Sequence, residues 1–419
     1  MITLLVAYLL RTSLFPNFKN SMSKRVGLWL IGAHGGVSTT VVVGLAALKL
    51  KLVDDCGLVS QLEQFSELDL IDWNQIVMGG HEIRKTDSRT EAFLLSGTTP
   101  AISRELVIQC ESELAEFDKN VRPGVLYNVG ETITKLATDE FVNQTETAES
   151  AVNQIQNDLV EFKQNNDLDQ VIVLNLASTE PPVNPNSLPD EWEALEPTLA
   201  DSNCALPASS LYAIAALDKG WPFINFTPSL GSCPKAIDEL AIARGTCHIG
   251  HDGKTGETFL KSVLAPAFAN RNLEIMSWVG HNIFGNMDGK VLDDPINKQT
   301  KVTSKDRLLG QILGYDPQTH ISIEYIKSLG DWKTAWDHIH FRGFLGTPMI
   351  MTFTWQGCDS ILAAPLVLDL FRFTEKASSN GETGLLTFLA SFFKSPLGTD
   401  ENDFSAQFRM LTDWADQSK

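Results

Sequence analysis

The sequence predicts an α/β protein in two parts: a parallel-sheet domain, then a sheet-rich α+β domain. Three observations predict it. A strand, a glycine turn and a helix follow one another over residues 26–48. Further apolar runs of strand length end at glycines, carboxylates or small polar residues. From about Gly245 onward, strand-like runs alternate with turns. At 419 residues the chain is long for a single core, which agrees with two domains.

Val26–Ile31 is a short apolar run, followed by Gly32-Ala33-His34-Gly35-Gly36. Residues 38–48 then read as a helix with small residues at its start. That order opens a dinucleotide-binding fold of the Rossmann type, although the spacing is G-x-x-G-G rather than G-x-G-x-x-G. Backbone N–H groups at such a turn and helix start can cradle a pyrophosphate. Residues 75–82 predict a second strand, ending at Gly79, Gly80, His81 and Glu82. Glu82 suits an adenosine ribose, and a terminal acid there favours NAD over NADP. Residues 171–176 form the clearest buried parallel strand, ending at Ala177-Ser178-Thr179. Residues 222–226 predict a fourth strand. Ligands of open α/β sheets sit at the carboxyl ends of strands, where these turns fall. Residues 131–165 are polar and charged at helical spacing, and 181–197 form a proline-rich, acidic loop. In the second part 274–279, 320–326 and 349–353 read as strands, and 361–373 and 385–393 as helices.

The net charge of −19 argues against nucleic acid and against an anionic membrane surface. Six scattered cysteines without a CxxC read as reduced thiols of a cytoplasmic protein. The apolar stretch near the N-terminus is too short to span a bilayer, and residues 1–21 are expected to be an extension before a start at Met22.

Within this acidic chain, residues 248–305 carry seven Lys/Arg against six Asp/Glu, a local net of +1. Lysines there stand beside turn residues and carboxylates: Gly250-His251-Asp252-Gly253-Lys254-Thr255-Gly256-Glu257, residues 282–289, Lys301 and Lys305, then Gly330-Asp331-Trp332-Lys333. Gly253-Lys254-Thr255 is no P-loop, because His248 stands where the first glycine is required. Thr255 and Gly256 can still offer a hydroxyl and free amides to a phosphate; a polar hairpin turn is the equal alternative. Cys247, His248 and His251 fit no standard zinc spacing and read as packed residues. Lysines near other cations have lowered pKa values and can move protons near neutrality; solvated surface lysines are the ordinary alternative.

Taken in order, these segments resemble the myo-inositol-1-phosphate synthase family from about Arg25 to Lys394. Gly79-Gly80-His81-Glu82 is similar to its G-G-W-D-I, and residues 252–258 to its D-x-K-S-G-Q-T. Residues 282–289 are similar to N-H-L-G-N-N-D-G, and Lys301-Val302-Thr303-Ser304-Lys305 to K-E-I-S-K. Gly330-Asp331-Trp332-Lys333 resembles G-D-S-K, and residues 358–363 resemble E-D-S-L-L-A. Residues 392–396 resemble Y-W-L-K-A-P.

The resemblance implies conversion of glucose 6-phosphate to inositol monophosphate, a step of inositol and phospholipid biosynthesis. NAD oxidises C5, C6 is deprotonated to an enolate, that carbon closes the ring on the C1 aldehyde, and the same cofactor reduces C5 again. It implies that Gly32, Ala33, His34, Gly35, Gly36, Glu82, Ala177, Ser178 and Thr179 bind NAD. It assigns the C5 hydroxyl proton to Lys301 and the oxyanions to Lys333 and Lys394. Asp252, Asp288, Asp331 and Asp359 would orient lysines and hydroxyls, Thr255, Gly256 and Lys305 would hold the phosphate, and Asn282 would touch substrate. The acids permit a cation near the nicotinamide without specifying one. On this reading residues 24–245 form the NAD-binding domain, to which 365–419 return, and 246–364 form the catalytic and oligomerisation domain of a homotetramer. Glu257 departs from the family's Gln beside the phosphate: it turns away, is protonated, or marks a different substrate. A sugar-phosphate dehydrogenase and a non-catalytic NAD(H)-binding regulator are the other readings.

Overall fold

The computed structural model describes residues 24–98, 102–143, 145–184, 187–286, 289 and 308–419. Asp288, Lys301 and Lys305 lie outside them. The first seven strands are β1 (Val26–Ile31), β2 (Ile76–Glu82), β3 (Val121–Val125), β4 (Val142–Asn143), β5 (Gln170–Asn175), β6 (Phe223–Asn225) and β7 (Cys247–Gly250). Next come β8 (Glu274–Phe284), β9 (Gln318–Tyr325), β10 (Trp332–Arg342) and β11 (Pro348–Cys358), and β12 (Gly384–Leu385) follows.

The larger sheet is parallel, in the order β12-β7-β6-β5-β1-β2-β3-β4. Strand order reverses between β1 and β5, so a crevice opens beyond their carboxyl ends. One face is covered by the helices Gly36–Lys49 and Asp359–Ser379, which pack on each other. The other face is covered by Ala148–Asn165, Ala208–Asp218 and Lys235–Ala243. β1 and β5 are buried almost throughout, as a sheet covered on both faces requires. The sheet runs past residue 245: β7 and β12 are its outer strands on that side.

The smaller sheet has the order β11-β10-β8-β9, with β8 and β9 parallel and the other pairs antiparallel. The helix Glu257–Asn270 covers one face, burying Ala265 and Phe268 against Ile275, Trp278 and Ile339.

Three local expectations change. Residues 385–393 are not an α-helix; β12 gives way to the 3-10 helix Thr387–Phe392. Gly384, at φ 72°, brings Leu385 beside β7, and a short buried apolar run carries no period by which to tell strand from helix. The helical stretch 131–165 is interrupted by β4, and its long helix starts at Ala148, where Thr147 and Ser150 form a capping box. The 181–197 loop contains the short helix Trp192–Leu195.

Candidate active site

The glycine turn after β1 is held by its neighbours in the sheet. The N–H groups of Gly32 and Ala33 donate to the His81 carbonyl at 2.9 and 3.0 Å. Gly32 has φ 79°, and a Cβ there would stand 3.1 Å from Ala177 Cα, so only glycine lets the turns after β1 and β5 meet. The helix Gly36–Lys49 begins without a side-chain cap, and the hydroxyls of Ser38 and Thr39 are buried with no hydrogen-bond partner among the described residues. Uncapped amides and orphaned hydroxyls in one helical turn suit an anionic group such as the pyrophosphate of NAD. Thr179 is buried and Ser178 half-buried at the other wall of the crevice.

Glu82 lies at the end of β2 as expected, but its carboxylate turns into the turn itself. It accepts from the N–H groups of His34 (2.8 Å), Ile83 (2.8 Å) and Arg84 (3.1 Å). Arg84 donates to the His34 carbonyl at 2.7 Å, and His34 Nε2 lies 2.9 Å from Asp118 Oδ1. Asp118 in turn accepts from the Ser88 hydroxyl at 2.6 Å. Arg84, Asp118 and Ser88 were not singled out by sequence; nothing in local spacing links them to the turn.

Glu180, one residue beyond Thr179, accepts from the Ser209 N–H and hydroxyl at the start of the helix Ala208–Asp218. Burial pushes its carboxyl up to about 7 from 4.5. A folded pKa above the unfolded one means the folded state holds the proton more tightly. The resulting stability is complete below about 4.5 and is lost as pH rises through about 7. Glu180→Gln is expected to remove that dependence and gain roughly 3 kcal/mol at pH 8 relative to pH 4.5. Urea denaturation at both pH values reads it, and an unchanged slope against pH would contradict the assignment.

The substrate side of the crevice is built around the turn at 252–256, after β7. Lys394 Nζ lies 2.7 Å from Asp252 Oδ1, both side chains nearly buried, and its N–H donates to the Asp252 carbonyl at 2.7 Å. Lys333 Nζ lies 3.7 Å from Asp359 Oδ1, and the Thr255 hydroxyl lies 3.5 Å from that same oxygen. Gly256 precedes the helix Glu257–Asn270, whose N-terminus has no side-chain cap. Asp331 accepts from Ser360 N–H and Oγ (both 2.9 Å), Cys358 Sγ (2.8 Å) and Asn286 Nδ2 (3.1 Å). Burial is the largest influence on its carboxyl and holds its pKa above the usual range. A Cβ on Gly36 would stand 2.9 Å from Ser360 Oγ, so the cofactor turn abuts the Asp331 cluster directly. Ser360, which makes this junction, was missed by sequence as well.

Asn282 stands apart. It is fully buried in β8, and among the described residues its amide reaches the Ser322 carbonyl of β9, at 3.5 Å. Of the three courses open to Glu257, the first is observed. It turns toward the smaller sheet and pairs with Lys261, Nζ to Oε1 2.7 Å, both side chains buried. His248 is held between Ser232 and Asp238 at 2.9 Å each, a packed histidine. Among the described residues no group of three or more His, Cys, Asp or Glu could hold a metal.

A family model described as myo-inositol-1-phosphate synthase matches residues 26–415. The chain belongs to the myo-inositol-1-phosphate synthase family. It is 32% identical over 413 residues to inositol-3-phosphate synthase 1 of Bacteroides thetaiotaomicron, covering 92% of this chain and 94% of that one. The fold matches inositol-3-phosphate synthase of Caenorhabditis elegans with a TM-score of 0.84, at 23% identity over 94% of this chain and 86% of that one. It also matches a myo-inositol-1-phosphate synthase-related protein of Thermotoga maritima, TM-score 0.76 at 23% identity, covering 94% and 98% of the two chains. Both structural likenesses concern the fold. Within the myo-inositol-1-phosphate synthase frame, the buried partner Lys261 accounts for a carboxylate at 257: the charge is met inside the protein.

Proposed function

We propose that this protein is an inositol-3-phosphate synthase that converts glucose 6-phosphate to inositol monophosphate with NAD as a recycled cofactor. The observation that carries the reading is the junction across Ser360, where an uncapped, glycine-bounded helix start abuts Asp331 and the Lys333–Asp359–Thr255 group. When bound, NAD supplies reversible hydride transfer at C5 of the sugar. The chain's own residues do the rest. The Thr255 hydroxyl, the Gly256 N–H and Lys305 hold the phosphate. Lys301 takes the C5 hydroxyl proton. Lys333, steadied by Asp359, and Lys394, steadied by Asp252, face the oxygen anions that form as C6 is deprotonated and attacks the C1 aldehyde. Asp331 fixes Ser360 and Asn286 around that centre.

A homotetramer assembled through the smaller sheet belongs to the same reading. It is supported by the exposed Trp336 and Ile350 and by Phe344 and Leu345, 89% and 85% exposed between β10 and β11. A cytoplasmic location is supported by six cysteines without a disulfide. Among the described residues no helix is long and apolar enough to cross a membrane.

Incubation with NAD and glucose 6-phosphate is expected to give inositol monophosphate without net NADH absorbance. Net NADH without inositol phosphate would move the assignment to a dehydrogenase, and neither signal with NAD bound would move it to a regulator.

A further inference from the structure

Lys254 lies between two residues read as substrate contacts, Asp252 and Thr255, yet its side chain goes elsewhere. It is 4% exposed, and its ammonium donates to Gln407 Oε1 of the helix Phe404–Gln417. The Phe404 ring centre is 6.0 Å from Nζ. Gln407 is itself fully buried, and its Nε2 donates to the Glu401 carbonyl at 2.6 Å. Among the described residues Lys254 forms no ion pair, and burial pushes its amine down to about 7. Burying an ammonium against a neutral amide is costly, and a methionine would fill the space without that cost.

The backbone shows what the contact holds. Lys254 N–H donates to the Phe392 carbonyl at 2.8 Å, and two residues along the facing segment Lys394 N–H donates to the Asp252 carbonyl. Gly253 and Phe393 form the bridge between these bonds. Asp252 sits at φ 61°, a sparsely populated conformation that persists only where its surroundings fix it.

We propose that Lys254 is a positioning residue: through Gln407 the helix Phe404–Gln417 fixes the 252–256 turn, and with it the Asp252–Lys394 pair and the Thr255–Gly256 phosphate cradle. The inference rests on the reading of that turn as the phosphate-binding segment.

Steady-state kinetics with glucose 6-phosphate and NAD test it, using Gln407→Leu, Lys254→Met and the double variant in the full chain. Each single variant is expected to raise KM for glucose 6-phosphate about tenfold, with the Kd for NAD within about twofold of wild type. The double variant replaces the polar pair by an apolar one and is expected to recover the thermal midpoint but not KM. Gln407→Glu keeps the contact to Lys254 while giving up the donor to the Glu401 carbonyl; it is expected to raise KM less than Gln407→Leu, with the pH profile of KM displaced because a carboxylate holds the amine charged. Recovery of both midpoint and KM in the double variant would reduce Lys254 to packing and overturn the proposal; so would an unchanged KM in Gln407→Leu. Thr255→Ala separates the two readings. A raised KM there with unchanged Gln407→Leu overturns only the strut, whereas an unchanged KM in Thr255→Ala strikes the phosphate assignment itself. Calorimetric titration with inorganic phosphate gives the same comparison independently of turnover.

Discussion

Lys394→Met is expected to lower kcat about 10²–10³-fold while leaving NAD affinity within about twofold. The loss is that of one preorganised charge facing a developing oxyanion. The methionine keeps the bulk of the side chain, so the phosphate cradle should survive and KM should change less than kcat. The substitution has a second consequence, because Nζ lies 2.7 Å from the buried Asp252 carboxylate. Removing one member of such a pair leaves the other charge without it and costs roughly 3–5 kcal/mol of stability. Turnover and NAD titration should therefore be measured well below the thermal midpoint. Lys394→Arg is not expected to rescue, since a planar fork replaces a compact charge in a closed space. A folded Lys394→Met enzyme with more than a tenth of wild-type kcat would remove Lys394 from the reaction.

The second large effect is on stability. Lys261→Met is expected to lower the unfolding free energy by about 3–5 kcal/mol with little direct change at the substrate. Lys261 meets Glu257 at 2.7 Å, and its ammonium lies 5.7 Å from the Trp278 ring centre. The Trp278 indole N–H donates to Asp337 Oδ1 at 2.6 Å. A Cβ on Gly280 would stand 2.8 Å from Glu257 Oε1 and 3.2 Å from Asp337 Oδ1, so both carboxylates crowd the same glycine. Without Lys261 the Glu257 carboxylate would lose its 2.7 Å ammonium partner while it stands against the same glycine as Asp337. Glu257→Gln combined with Lys261→Met removes the mismatch and is expected to restore most of the loss. Denaturant midpoints for the two single variants and the pair decide it. If the pair is as unstable as Lys261→Met alone, the unmatched Glu257 carboxylate is not the source of the loss, and the packing of Lys261 on Trp278 is.

Much of the parallel sheet was legible because its signals are local. β1, the 32–36 turn and the following helix announce themselves by a change of hydrophobic period at a glycine cluster. β5 stands out as a continuous apolar run because both its faces are covered. The segment 385–393 departs from its helical expectation because it is buried on contacts from distant chain, and burial erases the period that distinguishes helix from strand. The Glu257–Lys261 pair was within reach, since an acid four residues before a lysine is a helical pairing. That the pair is buried rather than solvated is decided by packing against Trp278 of the smaller sheet.

The sequence by itself determined which residue types this protein brings to its chemistry: a glycine turn at a helix start, and carboxylates and lysines at turns of a locally cationic segment. It did so because turn formation, helix starts and net charge depend on neighbours in the chain. Tertiary structure alone decided which charges meet. Lys394 reaches Asp252 across 142 positions, Thr255 approaches Asp359 across 104, and Lys254 reaches Gln407 across 153. Those pairings depend on where β7, β10 and the C-terminal segments come to lie, which is settled by packing over the whole core.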